Sequence, residues 1–173
     1  SSLPSEATAA PVLLNFTAAN WNTPQPVTVT GVDDQVADGD TPFNIILNPA
    51  ASPAAEYAAL PSVQVSGTNF DNDIPGYIIN PLDNFITTEG GGSQKVEISL
   101  RTKPTALVSL SAVSSDLTEG TVSFTDADAT IDPAIWPQPA KEVIITGVDD
   151  IFVDGNIPYS VTISASSSDS NYS

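Results

Sequence analysis

The stretch VTVTGVDDQVADGD, residues 27–40, returns as VIITGVDDIFVDGN at residues 143–156. In the first copy Val27 and Val29 alternate with threonine, a period of two that is typical of a β-strand with one buried face. Both copies then run into an Asp pair and an Asp-Gly step, so an acidic loop follows each strand. The copies lie 116 positions apart, which predicts a repeated domain rather than a short solenoid repeat.

The similarity extends on both sides of this stretch. Further matching segments are TPFNIIL (41–47) with IPYSVTI (157–163), and Ser1-Ser2-Leu3 with Ser114-Ser115-Asp116. The chain is about one and a half repeats long. We therefore predict two domains: residues 1–73 form the C-terminal part of one β-sandwich repeat, and residues 74–173 form a second repeat that lacks its final strand.

Short alternating segments recur along the whole chain. Val96, Ile98 and Leu100 alternate with polar or charged residues within 94–101, and 41–47 shows a similar pattern. These segments are bounded by Pro, Gly, Asn or Asp, as strands usually are. Fifteen prolines argue against long helices. The pattern predicts an all-β fold in which short strands form a sandwich.

The charge of the chain limits its partners. Its 173 residues include 21 Asp and Glu but only four Lys and Arg, a net charge of −17. Nucleic acids and anionic membrane surfaces are disfavoured as partners, because both bind through Lys and Arg. Inorganic cations are the natural complement.

The missing residue types limit the chemistry. The chain contains no Cys and no His, so disulfides, thiolate metal sites, Ser-His-Asp triads and Cys-His pairs are excluded. We expect no enzymatic activity. No segment approaches the ~18 apolar residues of a membrane-spanning helix. A chain rich in Ser, Thr, Ala, Asp and Val and lacking Cys is typical of bacterial secreted surface proteins, which predicts an extracellular location.

The acidic loops are candidate calcium sites. Adjacent carboxylates repel each other, and Ca²⁺ relieves this repulsion because it binds six to eight oxygens at about 2.3–2.6 Å in irregular loops. The alternative is a solvated acidic turn in which Asp-Gly supplies a positive φ. An EF-hand is excluded, because Val36 and Ile45 would occupy the third and twelfth loop positions, where oxygen ligands are required. Phe152 and Val161 exclude it in the second copy.

The motif VTVTGVDD-x3-DG followed by an alternating strand resembles the Calx-beta family. The turn Thr88-Glu89-Gly-Gly-Gly before strand 94–101 and the segment FTAANWNTPQ at 16–25 resemble tandem bacterial members. The family consists of calcium-binding, immunoglobulin-like Greek-key β-sandwiches found in sodium–calcium exchangers and in very large bacterial adhesins. The resemblance therefore implies tandem sandwiches of this type.

The resemblance also implies metal ligands. In the first unit these are Asp33, Asp34, Asp38, Asp71 and Asp73, and in the second they are Glu89, Asp116, Asp149, Asp150 and Asp154. The first unit has no counterpart of Glu89, and Leu3 stands where the second unit has Asp116. Each site is therefore expected to be incomplete within this chain.

The expected function is mechanical: a non-enzymatic, calcium-stabilised stalk or fibre segment of an adhesive surface protein. Its expected partners are neighbouring repeats or identical subunits, which exchange strands through unpaired sheet edges, and a surface ligand. The alternative is a carbohydrate-binding accessory module of a secreted enzyme, in which Trp21 and Trp136 would stack on sugars. Because both tryptophans precede strands at equivalent positions, we predict that they pack against the core or an edge instead.

Overall fold

The computed structural model describes residues 1–81 and 84–173. It divides into two compact units, Ser1–Asn72 and Asp73–Ser173. Strands in several sheets account for nearly all the regular structure, and the only α-helix among the described residues is one turn long. The prediction of an all-β chain is confirmed.

The first unit contains two separate two-stranded antiparallel sheets. Strands β1 (Ala7–Ala10) and β2 (Thr28–Gly31) form one sheet, with Ala7 opposite Gly31. Strands β3 (Thr41–Leu47) and β4 (Val63–Asn69) form the other, and the short helix α1 (Ala55–Ala58) lies between them in sequence. The predicted alternating strands at 27–30 and 41–47 therefore form, and each is paired on one side.

The second unit contains a four-stranded and a three-stranded antiparallel sheet. Its strands are β5 (Tyr77–Asn80), β6 (Ser93–Leu100), β7 (Val108–Ser114), β8 (Gly120–Phe124), β9 (Thr130–Ile131), β10 (Lys141–Gly147) and β11 (Val161–Ser167). The order in the larger sheet is β5-β6-β10-β8, and in the smaller sheet it is β11-β7-β9. Two short 3-10 helical turns, Pro133–Ile135 and Ser170–Tyr172, complete the unit.

The hydrophobic core lies in the second unit. Val96, Ile98 and Leu100 of β6 are buried while the residues between them are not, as the alternation predicts. They pack with buried residues of both sheets, including Val108 of β7 and Val143 of β10. One continuous core therefore joins the two sheets of this unit.

The first unit buries much less. Among its described residues only Ala7 and Phe43 are buried hydrophobics. The packing prediction for Trp21 is wrong, because this side chain is 71% exposed. Trp136, at the equivalent position, is half-buried against the core of the second unit. The two equivalent tryptophans therefore differ because one packs against a buried core and the other does not.

Tyr172 is fully buried in the second unit. Substituting Tyr172 and its repeat equivalent tests the difference in burial between the two units. The Tyr172 hydroxyl bonds to the N–H (3.2 Å), hydroxyl (2.6 Å) and carbonyl (3.0 Å) groups of Thr102. Tyr172→Phe leaves those groups without this partner, so we expect a loss of about 1–3 kcal/mol in the free energy of unfolding. Tyr57, the repeat equivalent on α1, is exposed, so urea unfolding of Tyr57→Phe should match the native chain. Equal effects of the two substitutions would contradict the structure.

The two units share their backbone geometry where the repeat is present. Ala7 faces Gly31 in β1–β2, and the equivalent Gly120 faces Gly147 in β8–β10. Equivalent hydrogen bonds also match: Ser2 N–H to the Asn44 carbonyl (2.8 Å) with Ser115 N–H to the Ser160 carbonyl (2.8 Å), and Asn44 N–H to Ser2 Oγ (2.9 Å) with Ser160 N–H to Ser115 Oγ (2.9 Å). The sequence repeat is therefore also a structural repeat.

Candidate functional site

Each acidic loop starts where a strand ends beside its neighbour. After β2, the Val32 N–H donates to the carbonyl of Glu6 (2.9 Å), the residue before β1. After β10, the Val148 N–H donates to the carbonyl of Glu119 (3.0 Å), the residue before β8. Strand pairing therefore brings a glutamate from the neighbouring strand's start to the beginning of each Asp-Asp loop.

Three carboxylates meet in each unit. In the first acidic cluster the oxygens of Glu6, Asp34 and Asp38 lie within 4.8 Å of one another. In the second acidic cluster Glu119, Asp150 and Asp154 are arranged in the same way. Both glutamates are half-buried, whereas Asp38 and Asp154 are exposed. The two clusters use residues that are equivalent in the repeat.

The loops adopt the same turn. Asp34 Oδ1 accepts a hydrogen bond from the Val36 N–H (2.7 Å), and Asp150 Oδ1 accepts one from the Phe152 N–H (2.7 Å). Gly39 and Gly155 follow the last aspartate of each cluster with φ of 84° and 82°. Only glycine adopts this left-handed conformation without strain, which explains the repeated Asp-Gly step.

The end of β4 supplies another acidic residue to the first loop. Asp71 Oδ2 accepts a hydrogen bond from the Gly39 N–H (2.7 Å), while the Asp71 N–H donates to Asp40 Oδ1 (3.0 Å). The predicted Asp71 therefore lies at the rim of the first acidic cluster and orders its loop. Asp40, which is not among the ligands predicted from the sequence, also hydrogen-bonds at this loop.

Desolvation and mutual repulsion raise the pKa of one carboxyl group in each cluster. The pKa of Asp38 is raised by partial desolvation and then by the charges of Asp34, Glu6 and Asp71. The pKa of Glu119 is raised by desolvation and then by four carboxylates, from Asp154, Asp116, Asp150 and Glu89. Each cluster therefore holds negative charge at neutral pH against an electrostatic penalty.

Asp116 lies close enough to the second cluster for its charge to act on Glu119, and its own carboxylate accepts hydrogen bonds within a local turn. Its Oδ1 accepts hydrogen bonds from the Thr118 hydroxyl (2.6 Å) and the Thr118 N–H (2.9 Å). These hydrogen bonds lower the pKa of Asp116, so it stays ionised and adds to the negative field on Glu119.

Basic side chains compensate little of this charge. Lys95 is the first basic residue of the chain, so the first unit has seven acidic residues and no Lys or Arg. Lys95 pairs with Glu97 (3.1 Å) and Glu142 (2.8 Å), and Lys141 pairs with Asp126 (3.5 Å). These ion pairs join residues of β6, of β10 and of the segment after β8, and none of them includes a residue of either acidic cluster.

The structure brings together only part of the predicted ligand set. Asp34, Asp38, Asp150 and Asp154 belong to the clusters, and Asp71, Asp116 and Glu89 lie close enough to act on them electrostatically. Asp33 and Asp149 belong to neither three-carboxylate cluster. Asp73 is the first residue of the second unit and is a member of neither three-carboxylate cluster.

Glu6 and Glu119 are not among the metal ligands predicted from the sequence, although both belong to the clusters. Their signal lies in the repeat, because the match of Ser1-Ser2-Leu3 with Ser114-Ser115-Asp116 reaches these two glutamates three residues later. A single glutamate beside a strand does not by itself indicate a metal ligand. Only the pairing of β1 with β2 and of β8 with β10 brings these two glutamates to the acidic loops.

The donor set suits a hard cation. Each cluster offers carboxylate oxygens only, and a spread of 4.8 Å is about twice a Ca²⁺–oxygen bond length. One ion could therefore contact all three groups. Three carboxylates fall short of the six to eight oxygens that Ca²⁺ takes, so backbone carbonyls and water would complete the shell.

Comparisons of the chain with protein-family models, curated proteins and solved structures give no match. In the described part of the chain no helix is long and apolar enough to cross a membrane.

Proposed function

We propose that this chain is a segment of a non-enzymatic, extracellular structural or adhesive protein built from calcium-stabilised repeats. One observation carries the proposal: the same three-carboxylate cluster is built twice, from repeat-equivalent residues with matching backbone hydrogen bonds. A solvated acidic turn needs no glutamate from a neighbouring strand, whereas a cation site uses one.

The sheet orders support an immunoglobulin-like Greek-key sandwich of the Calx-beta type. In the second unit the chain passes from β6 in one sheet to β7 in the other and returns to the first sheet at β8. It crosses to the smaller sheet at β9, returns at β10 and crosses once more to β11. Such crossings between two antiparallel sheets are the connections of this fold.

Calcium would act on stability rather than on chemistry. Glu119, Asp150 and Asp154 would hold the ion in the second unit, and Glu6, Asp34 and Asp38 would hold it in the first. Desolvation and, after it, neighbouring carboxylates raise the pKa values of Glu119 and Asp38, and a bound cation would neutralise the repulsion between these carboxylates. In an array of such units this stiffens each loop, which suits a stalk that holds a surface ligand, or a cell, at a distance.

Calcium is therefore expected to raise the unfolding temperature of the second unit. Extracellular calcium modules bind with Kd of ~10⁻⁴–10⁻³ M, so millimolar calcium should stabilise the unit by about 1 kcal/mol, or roughly 4–8 °C. In a Trp21→Phe background the fluorescence of Trp136 follows this unit alone, because these are the only tryptophans. The measurement is thermal unfolding after chelation, with calcium added back stepwise.

Asp149 and Asp150 provide a matched pair of variants. Asp150→Asn should abolish most of the calcium response, whereas Asp149→Asn removes the same charge one residue away and should retain it. An unchanged midpoint in the parent chain would contradict the calcium site. Equal losses in both variants would mean that the response follows overall charge rather than the cluster.

A further inference from the structure

An Asp-Gly step occurs in each acidic loop, at 38–39 and at 154–155. An aspartate followed by glycine is chemically reactive, because the glycine nitrogen can attack the carboxyl carbon of the preceding side chain. Such an attack within one chain is strongly favoured wherever the two groups can approach each other. A residue with a side chain hinders the approach, whereas glycine does not. The repeat therefore places a reactive aspartate at the same point of both loops.

The turn that the loops adopt requires this reactive step. Gly39 and Gly155 have φ of 84° and 82°, a left-handed conformation in which any residue with a Cβ is strained. Another residue after Asp38 or Asp154 would make the aspartate less reactive, but it would also strain the turn. The reactivity is therefore built into the loop conformation.

The structure leaves both steps open to rearrangement. Asp38, Gly39, Asp154 and Gly155 are all exposed. A Cβ built on either glycine meets no described atom within 4 Å beyond its chain neighbours. Exposed loop tips are the parts of a fold in which a change of the backbone is best tolerated. Packing therefore protects neither step.

A hydrogen bond restrains the first step. The Gly39 N–H donates to Asp71 Oδ2 (2.7 Å), so this bond must break before the nitrogen attacks. The bond is exposed, and water can take the place of either partner. It therefore slows the attack on Asp38 without preventing it.

We propose that Asp38 and Asp154 are modification sites at which the chain isomerises spontaneously to isoaspartate. The glycine nitrogen forms a bond to Cγ of the aspartate, and the N–H proton leaves as water together with the hydroxyl of the carboxyl group. Water then opens the resulting five-membered imide at the bond between the nitrogen and the original main-chain carbonyl carbon. One water molecule leaves and one is added, so the reaction needs no oxidant, cofactor or second protein.

Isoaspartate changes the loop in two ways. The main chain then runs through Cβ and Cγ and gains one atom, and the carboxylate lies directly on Cα. Asp38 and Asp154 are each a member of an acidic cluster, so the reaction displaces one carboxylate from its cluster. The modification therefore disables the clusters with age. Only one aspect rests on the proposed function: a bound calcium ion would hold the carboxylate oxygens and slow the attack.

Incubation in water enriched in heavy oxygen tests the proposal, because opening the imide inserts one oxygen atom from the solvent. The whole chain is incubated at neutral pH in chelator or in calcium, digested in ordinary water and analysed by mass spectrometry. We expect label to accumulate with time in the peptides that contain Asp38 and Asp154. The same peptides should become substrates for an isoaspartyl methyltransferase.

Asp126 and Asp128 are controls within the same chain, because both are exposed and each is followed by alanine. Their peptides should stay unlabelled. Asp154→Glu keeps the charge but must close a larger ring, so it should lose the label at that position and retain it at Asp38.

Two results would overturn the proposal: no label at either Asp-Gly step, or equal label at Asp126 and Asp128. Label that accumulates at the Asp-Gly steps equally in chelator and in calcium would support isomerisation and refute an ion held by Asp38 and Asp154. The isomerisation and the calcium site therefore fail separately.

Discussion

Replacing Ile98 by alanine is expected to reduce the stability of the second unit by about 2–5 kcal/mol. Ile98 is fully buried at the centre of β6, between β5 and β10, and belongs to the continuous core. Truncation removes apolar contacts and leaves a cavity that the surrounding sheets fill only in part. The measurement is urea unfolding followed by Trp136 fluorescence in the Trp21→Phe background.

The matched control is Val113→Ala in β7 of the same unit, where the side chain is 62% exposed. We expect it to change the free energy of unfolding by no more than about 0.5 kcal/mol. A small effect of Ile98→Ala would mean that the second unit has no cooperative core. A large effect of Val113→Ala would mean that the stability of this unit does not follow the burial of its side chains.

The sequence predicts the strands better than it predicts their burial. Alternation at 94–101 is a local signal, because successive side chains of a strand face opposite sides of the sheet. The exposure of Trp21 has no local signal. Its repeat equivalent Trp136 is followed by the same Pro-Gln-Pro segment (24–26 and 137–139), yet it packs against the core of the second unit.

The same distinction holds for the acidic clusters. The Asp-Asp loops are visible in the sequence, but which aspartate of each pair faces the cluster depends on how the chain leaves the strand. Glu6 and Glu119 are contributed by strand pairing, a contact between residues far apart in sequence. A pattern search limited to the loop therefore finds two of the three carboxylates in each cluster.

Glu119→Gln is expected to have opposite effects with and without calcium. In chelator the ionised Glu119 is disfavoured by desolvation and by its acidic neighbours, so its neutral replacement should raise the unfolding temperature. In saturating calcium the native chain gains an ion that the variant binds poorly, so the variant should lose most of the calcium-induced rise. The two unfolding curves should therefore exchange their order as calcium is added.

The pH dependence of stability tests whether the charge of Glu119 causes this effect. Because the folded-state pKa of Glu119 lies above its ordinary value of 4.5, ionised Glu119 destabilises the fold at neutral pH and protonation removes that penalty. In chelator the advantage of Glu119→Gln should be largest at neutral pH and should shrink as the pH falls through the raised pKa towards 4.5. Glu56→Gln, on the short helix of the first unit, is the control and should show neither effect. A variant that is less stable than the native chain in both chelator and calcium would show that Glu119 acts in packing alone, and the acidic cluster would then lose its assignment as a cation site.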